Sequence, residues 1–125
     1  MLYKNRDNKA GDVLRIRIYG FVLHEGILTA EGTVISSSRR NGAVVEESVA
    51  SFANGHKITN IGPLSDVPPH TAIAYARTRL GQKYKIFSDN CQHFVRKCYK
   101  LKSTSPQRDT MLAIGLAALA FIAVF

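Results

Sequence analysis

Leu14, Ile16 and Ile18 alternate with Arg15 and Arg17, and this period of two across residues 13–19 predicts a half-buried β-strand. Gly11-Asp12 opens the strand and Gly20 closes it. A second strand is predicted over 24–29 and a third over 33–38, separated by Ala30-Glu31-Gly32. Arg40-Asn41-Gly42 turns the chain again, since Asn-Gly is the strongest short hairpin signal. Residues 43–49 read as a fourth strand. Residues 12–49 therefore predict an antiparallel meander.

The length of the second turn decides what faces His24. A three-residue loop with Gly32 in the left-handed conformation pairs residue 29 with 33. Ser36 and Ser38 then share the face of His24. A two-residue loop, Glu31-Gly32, shifts the register and brings Ser37 there instead.

Residues 50–69 hold the breakers Asn54-Gly55, Gly62-Pro63 and Pro68-Pro69, with room for a short strand over 58–61. A helix is predicted over 71–80, with Pro68-Pro69 before it, Gly81 after it, and Ile73, Ala76 and Leu80 as its apolar stripe. A second helix is predicted from Cys91 to about Leu101. Asp89 or Asn90 serves as its N-cap. Phe94, Val95 and Cys98 stand three, four and seven residues after Cys91 and share one helical face.

The tail, 111–125, has 15 uncharged residues, against about 20 for a full bilayer span. Its apolar residues cover every side of a helical wheel, which favours a membrane anchor over a helix packed on a domain. The domain organisation read here is a polar segment (1–10), a catalytic domain (11–102), a polar linker (103–110) and the anchor helix (111–125).

Composition narrows the function. With 46% hydrophobic and 21% charged residues, 125 residues make one globular domain. The net charge of +8 suits nucleic acid, an anionic membrane or an anionic substrate. No nucleic-acid recognition pattern is found. Arg96, Lys97, Lys100, Lys102 and Arg108 lie just before the apolar tail, which points to an anionic membrane surface with the domain in the cytoplasm. Two cysteines seven residues apart on one helix lie roughly 10 Å apart, too far for a disulfide. A reducing compartment follows, and the polar N-terminus carries no signal peptide.

A buried cysteine is usually inert. A cysteine directly after a polar N-cap differs, because the helix N-terminus favours thiolate. Cys91 is therefore the candidate nucleophile, and His24 the candidate base for a Cys–His pairing. His93 is read as structural, and His56 and His70 as solvated. The histidines and cysteines lack zinc-ligand spacing, and no cofactor is called for.

Gly11-Asp12, His24-Glu25-Gly26-Ile27, Glu31-Gly32, Val34-Ile35 and Asn90-Cys91-Gln92-His93-Phe94-Val95 together resemble the lecithin:retinol acyltransferase family over residues 10–100. The resemblance implies an α+β domain of permuted papain-like order, with the meander packed on helices. It implies Cys91 as nucleophile through an acyl thioester, and His24 as its base. In animal members a second histidine stands 12 residues after the first and orients it. Here that position is Ser36, the candidate third member, whose hydroxyl accepts a hydrogen bond but adds no charge. Glu25 is expected on the opposite strand face. Glu46 and Glu47 are further candidates to orient His24. The implied activity is that of a membrane-associated thiol acyltransferase or phospholipase A-type hydrolase on fatty-acyl esters of phospholipids. The alternatives are a permuted papain-like cysteine peptidase or amidase, and a membrane adaptor that keeps the fold without the chemistry.

Overall fold

The structure is a computed structural model that describes residues 8–20, 22–85 and 90–100. Five strands form one antiparallel sheet: β1 (Val13–Tyr19), β2 (Val22–Leu28), β3 (Thr33–Ser38), β4 (Ala43–Ser48) and β5 (Ile58–Gly62). Their order is β4-β3-β2-β1-β5. The meander accounts for four of them, and β5 closes the far edge against β1. Three helices complete the α+β architecture: α1 (Val49–Ala53), α2 (Pro69–Thr78) and α3 (Cys91–Cys98).

The sheet is covered on both faces. Leu14, Ile16, Leu28, Val34 and Ile58 pack with Phe52 and Ala53 of α1. Val13, Ile27, Ile35 and Val44 pack with Ala72, Ile73 and Ala76 of α2 and with Phe94, Val95 and Cys98 of α3. The first strand is half-buried over residues 14–18 as its alternation predicts, with Leu14 and Ile16 buried and Arg17 exposed, but its start is buried on both faces. Val13 and Leu14 are both fully buried, on opposite faces, because helices cover each side.

The three-residue loop is the one adopted. Thr29 N–H donates to Thr33 O at 2.8 Å, Ile27 stands opposite Ile35, and Gly32 has φ +84°. A side chain at that φ would be strained, which is why glycine closes this turn.

Gly11-Asp12 ties three elements together. Asp12 accepts from Lys9 N–H at 3.0 Å and from Asn60 Nδ2 at 2.8 Å. The hydroxyl of Tyr99, just after α3, donates to Gly11 O in the buried interior. The motif thus anchors the start of β1 to β5 and to the end of α3.

One helix departs from the sequence reading. Residues 49–53 form α1, where Val49 was expected in the fourth strand and the rest as irregular chain. Ser48 caps it by accepting Ser51 N–H at 3.0 Å, and Asn54 ends it in the left-handed conformation. Helix α3 stops at Cys98, short of Leu101, with Tyr99 as its C-cap. Among the described residues no helix is long and apolar enough to cross a membrane. The expected anchor, 111–125, lies outside the described residues, as does the linker before it.

Candidate active site

Asn90 holds the start of α3. Its Oδ1 accepts the amides of Gln92 and His93, both at 3.0 Å, and His93 Nδ1 accepts Asn90 N–H at 3.4 Å in return. This reciprocal cap fixes Cys91 as the first helical residue. His93 is buried and serves the cap, as its expected structural role requires.

Cys91 is only 3% exposed. Its thiol donates to the carbonyl oxygen of Leu23 at 3.5 Å. It enters where the β2–β3 ladder ends, since the two strands pair at Ile27–Ile35 and Leu28–Val34 and not beyond. Burial pushes the thiol up to about 12, aided by the nearby Glu25 carboxylate, while the amides of Glu25 and Gln92 oppose the shift by bonding the sulfur. The helix terminus alone therefore does not make a thiolate here, because desolvation outweighs it.

His24 stands opposite Ile16 on β2. Its Nε2 lies 3.4 Å from Ser36 Oγ, and its ring stacks on Phe52 at 4.8 Å. Burial lowers its pKa to about 4, with a further contribution from the Arg40 charge. The imidazole is thus neutral near pH 7 and free to accept a proton.

The structure brings His24 and Ser36 together, and it brings Cys91 to the same strand. Among the described residues no hydrogen bond joins Cys91 to His24. The reason lies in strand parity. Leu23 and Glu25 flank His24 and address the α3 side, whereas His24 faces Phe52 and α1. Glu25 confirms this placement. Its buried carboxylate pairs with Arg15 Nη2 at 2.7 Å and lies 3.8 Å from Arg96 Nη1 on α3.

Several side chains sit elsewhere than expected. Glu46 binds Arg77 and Thr33, and Glu47 binds Arg40 and Ser51, so neither orients His24. Glu47 shares the α1 side with His24 but is held by Arg40 and Ser51, whereas Glu46 is held by Arg77 and Thr33. Arg96 turns into the fold toward Glu25 and is not simply part of an exposed basic flank. His56 is half-buried, with Nδ1 3.2 Å from Ala53 O, where a solvated role was expected. His70 is exposed.

A cavity of about 390 Å³ opens beside His24 on the α1 face. Ile16, Ile18, Tyr19 and Phe52 line it, with Arg39 and Arg40 among its polar residues. Phe52 and Arg40 were not singled out in the sequence. The only local signal was Ser48, an N-cap residue type that also fits the end of a strand.

Fold and site define the class: an α+β domain in which a capped helix delivers a cysteine to the histidine-bearing strand of an antiparallel sheet. The chain belongs to the lecithin retinol acyltransferase family, whose profile matches residues 7–103. In general that family comprises cysteine-based acyltransferases and hydrolases. A comparison with curated proteins finds none that matches.

Proposed function

We propose that this protein is a thiol acyltransferase or phospholipase A-type hydrolase that takes a fatty-acyl group from a phospholipid onto Cys91. The observation that carries the reading is the seating of Cys91, in the first turn of α3, against the main chain on either side of His24. The family assignment and the apolar cavity beside His24 support it.

In the resting site both partners are neutral. Burial disfavours the charged form of each, with the thiol pushed up to about 12 and the imidazole lowered to about 4. A preformed ion pair is thus not the ground state. The reaction begins when the Cys91 side chain leaves the Leu23 carbonyl and reaches the imidazole of His24 through the gap where the β2–β3 ladder ends. His24 takes the thiol proton as the sulfur bonds to the ester carbonyl carbon. The helix-start amide of Cys91 stabilises the oxyanion. The C–O bond then breaks, and the alcohol leaves with the proton from His24. Water or another acceptor, deprotonated by His24, cleaves the thioester and restores the thiol. Ser36 orients the imidazole. The basic residues before the tail and the apolar tail itself hold the domain at an anionic cytoplasmic membrane surface.

A second reading is an adaptor that retains the fold without turnover. The Cys91–Leu23 hydrogen bond favours it, because the thiol is satisfied without the base. Intact-mass spectrometry after incubation with phosphatidylcholine–phosphatidylglycerol vesicles separates the two. An acyl mass present on the native chain and absent on Cys91→Ala supports the enzyme. A folded native chain with no acyl adduct and no lysophospholipid product rules it out in favour of the adaptor.

A further inference from the structure

The cavity on the α1 face has a chemistry of its own. Ile16 and Phe52, both buried, back its inner wall, and Ile18 and Tyr19 carry its apolar surface outward. Tyr19 is 51% exposed and stands at the mouth of the cavity. Arg39 and Arg40 follow the end of β3, and both are exposed. Arg40 is held in place by Glu47 Oε1 at 3.2 Å and Ser51 O at 3.1 Å. The Arg40 charge reaches the neighbouring imidazole and disfavours a second positive charge there.

An apolar wall with a fixed guanidinium beside it suits a ligand with one alkyl chain and one negative group. About 390 Å³ lies at the lower end of small-molecule sites, roughly 300–1,000 Å³, and is too small for both chains of a phospholipid. We propose that this cavity binds a single-chain anionic amphiphile, its chain along Ile16, Ile18 and Phe52 and its carboxylate or phosphate at Arg39 and Arg40. The inference deepens the enzymatic reading by assigning one side of the site to a free fatty acid or monoacyl phosphate. It rests on that reading only for which ligand is turned over. Binding itself does not need Cys91, which does not line the cavity.

The test is displacement of cis-parinarate from the full chain carrying Cys91→Ala, by dodecanoate, monododecyl phosphate and dodecyltrimethylammonium. The two anions are expected to bind at least tenfold tighter than the cation, and their ratio tells carboxylate from phosphate preference. Arg39→Gln with Arg40→Gln weakens both anions at least tenfold. Ile18→Gln, at a half-buried site, weakens all chains, and circular dichroism confirms that each variant is folded. Arg39→Gln alone, at an exposed residue, supplies a variant whose folding is not at issue. Equal affinity for anion and cation, or binding unchanged in the arginine and Ile18 variants, overturns the proposal. The acyl-adduct measurement on the native chain is independent. An adduct with no anion preference sinks this inference alone, and anion binding without an adduct sinks only the enzymatic reading.

Discussion

Cys91 Sγ lies 3.5 Å from the carbonyl oxygen of Leu23, one residue before His24 along the strand. The nucleophile candidate is delivered to the right strand but held by its backbone. A sulfur–carbonyl bond of this kind is weak, about 1 kcal/mol or less, so a ligand can displace it.

Cys91 is expected to alkylate slowly with iodoacetamide at pH 8, since its pKa stands near 12. Glu25→Gln removes the nearby carboxylate and is expected to speed modification at least threefold, with the pH–rate profile moving down. Peptide mapping by mass spectrometry assigns the adduct to Cys91 and not to Cys98. An unchanged profile in Glu25→Gln would show that burial alone sets the thiol.

Folding lowers the pKa of His24 from 6.5 to about 4. Between those values the unfolded chain binds a proton that the folded chain does not, so stability falls as pH drops from about 6.5 toward 4. The loss is about 3 kcal/mol at about 1.4 kcal/mol per unit. Urea unfolding at pH 7, 5.5 and 4 measures it, and His24→Gln is expected to flatten that part of the slope.

Ser36→Ala removes a long hydrogen bond, 3.4 Å, at a fully buried residue. The expected stability cost is about 1 kcal/mol or less. If Ser36 positions His24, turnover of phospholipid vesicles falls several-fold and the acid limb of the pH–rate profile shifts, while KM is unchanged. A shift in melting temperature with an intact profile would leave Ser36 with a packing role only.

Gly26 leaves no room for a side chain. A Cβ there would sit 2.5 Å from Val34 Cγ1, 3.0 Å from Ile35 O and 3.1 Å from Phe52 Cε1. Gly26→Ala is expected to destabilise the fold by about 1–3 kcal/mol through overpacking. Adding Val34→Ala relieves the closest contact, so the double variant is expected to lose less than the sum of the two single losses in urea unfolding. Because Phe52 lies under His24, the single variant also disturbs the ring stack.

Asn90→Ala removes the side-chain oxygen that accepts the Gln92 and His93 amides and leaves the Asn90 N–H bond to His93 Nδ1. A loss of about 1–2 kcal/mol is expected. Cys91 then sits in a frayed first turn, and its alkylation by iodoacetamide is expected to accelerate. A stable variant with unchanged thiol reactivity would show that the sheet, and not the cap, holds Cys91.

Much of the meander was legible because alternation and glycine turns are local signals. The strand over residues 33–38 has the bounds read from its pattern, and Ser36 faces His24 through the three-residue loop. Helix α1 was not legible. Five residues carry too little periodicity, and its capping serine also fits the end of a strand. Glu25 was placed on the correct face by parity, but its partner Arg96 was read as part of a membrane-facing flank. Only the packing of α3 across β2 brings a residue 71 positions away to a buried carboxylate.

By itself the sequence determined the four strands of the meander, the capped helix that begins at Cys91, and the family to which these belong; the choice between the two β2–β3 registers came from the structure. Those features follow from alternation, turn chemistry and capping, all of which act over a few residues. The tertiary structure alone decided which face of β2 each partner addresses and how deeply Cys91 is buried. Both depend on contacts between distant segments, and burial is what turns a cysteine favoured by its helix terminus into one held as a thiol.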